Sequence, residues 1–79
     1  MRATVLVRPK PGILDPQGQA VLGSLHHLGF CVGDVRVGRL IDLDLAVSDG
    51  EQARDDVRKM CEQLLANPLI ESFEIELTE

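Results

Sequence analysis

Residues 34–47 read DVRVGRLIDLDLAV, and this stretch decides the fold. Apolar and charged side chains alternate along it, with Val35, Val37, Ile41, Leu43 and Leu45 on one face and Asp34, Arg36, Asp42 and Asp44 on the other. Successive side chains point to opposite faces only in an extended strand, so the pattern predicts a strand and not a helix. Fully extended, the stretch would span about 45 Å, well beyond the usual strand of about 5–6 residues.

So long a strand must either bend at Gly38 or turn there into a hairpin. A two-residue turn at Gly38–Arg39 would place Val35 opposite Asp42, which mixes apolar and charged residues on one face. A three-residue loop over Gly38–Leu40 would instead place Val35 opposite Leu43 and Arg36 opposite Asp42, which is chemically consistent. This hairpin and one long bent strand both remain open.

A strand and a helix are predicted before this stretch. Residues 3–7 are apolar and rich in β-branched side chains, which is typical of a strand. The first helix is predicted at about residues 16–28, with Asp15 as its N-cap and Pro16 at its first position. Gly29 fits a left-handed C-cap, with Phe30 folding back onto the helix. Apolar residues recur at helical spacing, namely Leu14, Val21, Leu22, Leu25 and Leu28.

A second helix and a last strand are predicted after it. Ser48–Glu51 forms a capping box, and Pro68 ends the helix. The inner face of this helix is predicted to hold Ala53, Val57, Met60, Cys61 and Leu64. The last strand turns Phe73, Ile75 and Leu77 inward. The order β-α-β(β)-α-β over residues 1–79 predicts one α+β domain, with two helices packed on one face of a mostly antiparallel sheet.

Composition and charge narrow the classes of function. Thirteen acidic and eight scattered basic residues give a formal net charge of −5, and Phe30 and Phe73 are the only aromatic residues. This argues against binding to nucleic acid or to an anionic membrane. Two cysteines are too few for a disulfide framework, and neither a signal peptide nor a long apolar span is evident. We therefore expect a soluble cytoplasmic protein.

The outer face of the sheet predicts association. Leu6 and Leu40 fall among its polar residues, and a long second strand would extend beyond a compact monomer. Unpaired backbone groups on such a strand invite pairing with another chain. We expect a homodimer or a larger homo-oligomer such as a homotetramer.

The candidate nucleophiles and metal ligands do not form a recognisable site. His26 and His27 point about 100° apart on a helix, so the two rarely share one metal ion with Cys31. Cys31 and Cys61 are both predicted to be small buried apolar side chains. Ser24 lies three residues before His27, but helical spacing produces such pairs by chance. No catalytic, cofactor or metal site is predicted.

The loop RPKPGILDPQG, residues 8–18, is the remaining candidate. It lacks the glycine spacing of a phosphate-binding loop, and its three prolines fix the backbone and remove N–H donors. A stiff, donor-poor loop that displays Lys10 suits protein docking better than anion binding. A simple connector is the alternative.

Four blocks of sequence resemble the PurS family, the small subunit of phosphoribosylformylglycinamidine (FGAM) synthase. They are KPGILDPQG at 10–18, LGF at 28–30, VRVGR at 35–39 and CEQLLANPLIESFEIEL at 61–77. The resemblance runs from end to end of the chain. It implies a PurS-like fold, with a ferredoxin-like fold as the alternative.

The same resemblance implies a non-catalytic adaptor in de novo purine biosynthesis. Such a subunit bridges a glutaminase subunit and a large synthetase subunit, so that ammonia is delivered for the conversion of formylglycinamide ribonucleotide to formylglycinamidine ribonucleotide. ATP, Mg and glutamine would be used by those partners and not by this chain. The activity of the whole complex would be that of a carbon–nitrogen ligase with glutamine as amido donor.

Contacts with these partners are expected in the loop and at the bend. The candidate residues are Lys10, Pro11, Gly12, Asp15, Pro16, Gly18, Gly38 and Arg39. Relatives commonly carry Lys at position 39, and an ammonium is not equivalent to a bidentate guanidinium, so the role of Arg39 is open.

Two other functions are weighed against the adaptor. A regulatory module of the ACT type shares the size, the element order and the dimeric habit, and it binds an amino acid near a glycine after the first strand, where Gly12 stands. An enzyme of the acylphosphatase type needs an arginine in a glycine-rich anion loop and an asparagine. The only asparagine, Asn67, precedes Pro68 at a helix end.

Overall fold

The structure is a computed structural model and describes residues 1–78. Its elements follow the order β1 (Arg2–Pro9), α1 (Pro16–His27), β2 (Arg39–Asp44), α2 (Gly50–Met60), a π-helical turn (Cys61–Leu65) and β3 (Glu71–Thr78). Two helices and a three-stranded antiparallel sheet confirm the predicted α+β class. None of the helices within residues 1–78 is both long and apolar enough to cross a membrane.

The sheet has the strand order β2-β1-β3, with both pairs antiparallel. Val7 pairs with Arg39 on one side and with Phe73 on the other, so these three residues share the inner face. Along β1 the inner face carries Ala3, Val5 and Val7, which are almost fully buried. The inward direction predicted for Phe73, Ile75 and Leu77 is confirmed, because each packs against this core.

Helix α2 covers the core with a face that differs in part from the predicted one. Ala53, Val57 and Cys61 are buried as predicted, but Met60 is exposed and Leu64 is 83% exposed. The reason is the π-helical turn, in which the N–H of Ala66 donates to the carbonyl of Cys61 at 3.0 Å. Because this bond spans five residues and an α-helical bond spans four, the chain departs from the 3.6-residue period, so Leu65 and Ala66 face the core in place of Leu64.

The ends of α1 follow the prediction closely. Asp15 Oδ1 accepts a hydrogen bond from the N–H of Gly18 at 3.1 Å, as an N-cap does. Gly29 has a φ of +96°, and the N–H of Phe30 donates to Leu25 O at 3.0 Å, which together form a Schellman motif. The side chain of Phe30 is 59% exposed, and its predicted fold-back onto the helix stays a prediction.

The position of α1 also differs from the prediction that both helices pack on one sheet face. Only α2 packs there, and α1 contributes no residue to the core of residues 1–78. The radius of gyration is 15.7 Å, against about 12 Å for a compact chain of this length. Residues 10–38 therefore form an arm that leaves the sheet after Pro9 and returns to it at Arg39.

The arm is a helix with a return segment beside it. In the return segment Val32 O lies 2.7 Å from His26 Nε2, and the N–H of Val37 donates to Asp15 Oδ2 at 2.8 Å. A Cβ on Gly18 would collide with the carbonyl of Val35, so the close approach requires glycine at this position. Residues 34–38 belong to no strand. Within one chain the bend at Gly38 is therefore neither a hairpin nor part of one continuous strand.

Candidate functional site

Most of the predicted contact residues lie where the arm joins the sheet. We call this region the junction; it comprises residues 10–18, 36–39 and 65–71. The arm begins with a tight turn, in which the N–H of Ile13 donates to Lys10 O at 3.2 Å. Pro11 occupies the second position of this turn, and Gly12 the third with a φ of +84°, which is the arrangement of a type II turn. Pro11 and Gly12 are exposed. The stiffness predicted for this loop therefore has a defined geometry.

Lys10 is not freely displayed. Its Nζ donates to Pro68 O at 2.7 Å, and its backbone N–H donates to Ile70 O at 2.9 Å. These bonds extend the β1–β3 pairing past the end of β1 and tie the loop to the turn before β3. Lys10 thus has a structural role in the isolated chain, and its contact with a partner stays a prediction.

Arg39 is bound on two sides within the chain. Its guanidinium donates to both carboxylate oxygens of Glu71, at 2.8 and 2.9 Å, and also to Leu65 O at 2.8 Å. The hydrogen bonds from Arg39, and then the N–H of Asn67, hold the pKa of Glu71 below its ordinary value. One ammonium cannot reproduce this fork together with the bond to Leu65 O. Arg39 therefore joins β2 to β3 and to the end of the π-helical turn.

The turn at residues 66–71 was missed by the sequence reasoning. Asn67 organises it, because its Oδ1 accepts from the N–H of Leu69 at 3.1 Å and its carbonyl accepts from the N–H of Glu71 at 2.7 Å. Two signals were available. Asn-Pro favours the start of a turn, and both Arg39 and Glu71 fall at inward positions of edge strands, where a charged side chain needs a partner.

Asp15 holds the other side of the junction. Besides capping α1 it accepts the N–H of Val37, which anchors the return segment. The hydrogen bond from Val37, followed by that from Gly18, keeps the pKa of Asp15 below the ordinary value of 3.8. Arg36 reinforces this contact by donating to Ile13 O at 2.8 Å.

Gly38 and Pro16 complete the predicted set. A Cβ on Gly38 would collide with Val7 O, so glycine lets the return segment pass close to β1. Pro16 is exposed at the first position of α1. Of the eight predicted residues, Lys10 and Arg39 hold the 66–71 turn, while Asp15, Gly18 and Gly38 shape the return of the arm.

The two cysteines lie in different environments, and neither belongs to a metal-binding cluster among the described residues. Cys61 is buried in the core, and burial raises the pKa of its thiol. Cys31 is exposed, so the prediction that both cysteines are buried is wrong for this residue, which follows the C-cap of α1 on the arm. The side chains of residues 1–78 form no cluster of three potential metal ligands. The junction therefore presents a surface whose backbone is held in place by hydrogen bonds.

We expect Asp15→Asn to destabilise the chain at neutral pH, because an amide has only one oxygen to accept the two backbone N–H groups. The depressed pKa means that ionised Asp15 adds stability above about pH 3.8, and that this contribution is lost as the pH falls through the folded pKa. The free energy of unfolding, measured by denaturant titration at one chain concentration, should therefore differ between wild type and variant at pH 7 and converge below pH 3.8.

Asp34→Asn is the matched control for this test. Asp34 is exposed and lies 3.7 Å from Arg36 Nε. Its substitution should lower stability less than Asp15→Asn at pH 7. Equal stability of wild type and Asp15→Asn at pH 7 would contradict the anchoring role of Asp15.

Comparisons of sequence agree with this architecture over nearly its whole length. Residues 2–79 match the family model PurS, described as phosphoribosylformylglycinamidine (FGAM) synthase. Phosphoribosylformylglycinamidine synthase subunit PurS of Methanocaldococcus jannaschii is 36% identical over 77 residues, which cover 96% of this chain and 93% of that protein. The subunit of the same name from Bacillus subtilis is 42% identical over 82 residues, covering 99% and 93%.

Solved structures give the same result. PurS of B. subtilis superposes with a TM-score of 0.88 at 40% identity, covering 99% of this chain and 98% of that one. A chain of the PurLQS structure from Thermotoga maritima has a TM-score of 0.85 at 30% identity, covering 95% and 93%. These matches give no support to a module of the ACT type. By sequence and by structure, the chain belongs to the PurS family of FGAM synthase.

Proposed function

We propose that this chain is the small, non-catalytic subunit of an FGAM synthase and bridges its glutaminase and synthetase subunits. The observation that carries the proposal is the end-to-end similarity to PurS subunits, including one in a PurLQS structure. In this proposal the partners use ATP, Mg and glutamine, and the chain supports delivery of ammonia to formylglycinamide ribonucleotide. Its cytoplasmic location stays a prediction.

The junction supports an adaptor role on physical grounds. Ammonia released at one active site reaches another without loss only if the subunits are held in one closed arrangement. Lys10 ties the start of the arm to the 66–71 turn, Asp15 holds the return segment against the start of α1, and Arg39 ties β2 to Leu65. A surface that is already ordered loses little conformational entropy when a partner binds.

We further propose a homodimer in which the free edge of β2 pairs with its equivalent in a second copy. Leu45 N–H donates to Met1 O at 2.7 Å, and bonding directions alternate along an antiparallel pair. The backbone groups of Leu40, Asp42 and Asp44 therefore point to the free edge. The segment 34–38, which has no partner strand in its own chain, lies next in line along this edge.

One register suits the side chains on both faces. If Leu40 faces Leu40 of the second copy, Arg36 faces Asp44 of that copy, and Val37 faces Leu43. Leu40 is 57% exposed in the single chain, and this pairing buries it against an apolar neighbour. Shifting the register so that Asp34 faces Asp44 would oppose two carboxylates. A homotetramer built from two such dimers stays a prediction.

The arm gives a second reason for a dimer. Ile41, Leu43 and Leu45 are only partly buried on the inner face of β2. On the arm, Val21 is 41% and Leu28 is 69% exposed. The arm of a second copy paired through β2 supplies an apolar helix for this uncovered part of the sheet, so both surfaces leave water together.

The proposed function is tested by the amination of formylglycinamide ribonucleotide with purified glutaminase and synthetase subunits, with and without this chain. We expect the chain to raise the glutamine-dependent rate roughly tenfold or more, because it holds the two sites together. The rate with free ammonia as donor should change little. If neither reaction responds to the chain, the adaptor function is wrong.

The dimer is tested by two charge substitutions at Leu40. Leu40→Lys and Leu40→Glu should each weaken association in sedimentation velocity, because like charges then face each other across the two-fold axis. Mixing the two variants should restore the dimer as a heterodimer. Ser72→Lys, an exposed change on the far edge strand, is the control and should associate like wild type. Two variants that each dimerise fully on their own would contradict the register.

A further inference from the structure

The proposed dimer uses the free edge of β2, and the outer edge of β3 is the other unpaired edge of the described sheet. β3 pairs with β1 along its whole length, from Glu71 opposite Pro9 to Thr78 opposite Arg2. Lys10 N–H donates to Ile70 O, so residues 72, 74 and 76 also bond toward β1. The N–H and C=O groups of Phe73, Ile75 and Leu77 therefore point outward from the sheet. These backbone groups can form hydrogen bonds with an added strand.

A groove accompanies these open backbone groups. It encloses about 360 Å³ between β3 and α2, and its lining includes the partly buried Phe73 and Ile75. The wall on the α2 side carries Glu51, Arg54, Asp55 and Arg58, and the aliphatic stems of the two arginines can cover apolar side chains. A strand added to β3 would turn every second side chain toward this groove. Side chains that contact Phe73 and Ile75 are favoured to be apolar.

The outer face of the same edge is acidic. Glu76 shares a row with Thr4 and Asp42, and the hydroxyl of Thr4 donates to Asp42 at 2.8 Å. Among residues 1–78, Glu76 takes part in no ion pair. Glu74 pairs with Arg8 at 2.9 Å, but its side chain is still 65% exposed. The outward side chains of an added strand are therefore favoured to be basic.

A second copy of β3 does not fit this edge. Antiparallel two-fold pairing of β3 with itself overlaps most fully in two registers. One register places Glu74 opposite Glu74 of the other copy, and the second places Glu74 opposite Glu76. Like charges directly opposite destabilise a strand pair, so the glutamates disfavour self-association through β3.

We propose that the free edge of β3 binds an extended segment of a partner subunit in which apolar residues alternate with Lys or Arg. The segment adds a fourth strand to the sheet, with its apolar side chains in the groove beside α2 and a basic side chain against Glu76. This inference rests on the proposed adaptor function and names the surface that meets a large subunit.

The test measures binding of the chain to the purified synthetase subunit and, separately, to the purified glutaminase subunit. Glu76→Lys should weaken binding to one of the two roughly tenfold, and Glu76→Gln should weaken it less, because the facing basic residue is then repelled or left unpaired. Glu62→Lys makes the same charge change at an exposed position on the π-helical turn. It should leave both affinities within about twofold.

Hydrogen exchange of single amides supplies a second measurement that does not depend on a variant. The amides of Phe73, Ile75 and Leu77 should exchange quickly in the free chain and become protected in the complex. Unchanged binding of Glu76→Lys, or fast exchange of these amides in the complex, would overturn the inference and leave the adaptor function intact. Protection already present in the free chain would assign the edge to a second copy. Wild-type chain that binds neither subunit would overturn this inference and the adaptor function together.

Discussion

The inner face of the sheet has two parts, and a single chain covers only one of them. Helix α2 lies over β1 and β3, where Val5, Val7 and Val57 are almost free of solvent. Over β2 the apolar residues stay partly exposed, because α1 lies on an arm and not on the sheet. Apolar surface left in water forgoes about 25 cal/mol for each Å². In a chain of 79 residues such a loss is large against the net stability.

Hydrogen bonds at the junction between the arm and the sheet order the parts of the chain that α2 does not cover. Asp15 ties the return segment to the start of α1, and Arg39 ties β2 to Glu71 and to the end of the π-helical turn. Lys10 also ties the start of the arm to Pro68 and Ile70, while α1 contributes no residue to the core of the described residues. In the proposed dimer, the uncovered face of β2 and the apolar residues of α1 are the surfaces that meet. An ordered surface suits an adaptor, because it loses little conformational entropy when a partner binds.

The sequence predicts this fold well where local chemistry decides the outcome. Asp15, Pro16 and Gly29 set the bounds of α1 through capping, which depends only on neighbouring residues. The packing of α1 could not be predicted in this way. The apolar stripe of α1 indicates that a partner surface covers this helix. The stripe does not show whether that surface belongs to the same chain or to another one, and the prediction used the sheet of the same chain.

The structure differs from the prediction at two further places, and both differences have local causes that a regular helical or strand period does not reveal. The π-helical turn moves Leu64 outward, because a strict 3.6-residue count fails across it. Arg39 was predicted to face a partner, yet its inward position in β2 joins it to Glu71 inside the chain. Five of the eight candidate residues position the arm or the 66–71 turn within the chain, and their contact with a partner stays a prediction. The open edge of β3 follows only from the sheet order, which the sequence pattern does not determine.

The measurement that tests the account most directly is the denaturant midpoint of the isolated chain over about a hundredfold range of chain concentration. If one copy supplies the cover that another lacks, folding and association are coupled, and the midpoint rises as the concentration rises. A midpoint that stays constant over this range, with the chain sedimenting as a folded monomer, would show that a single copy is sufficient and would contradict the account.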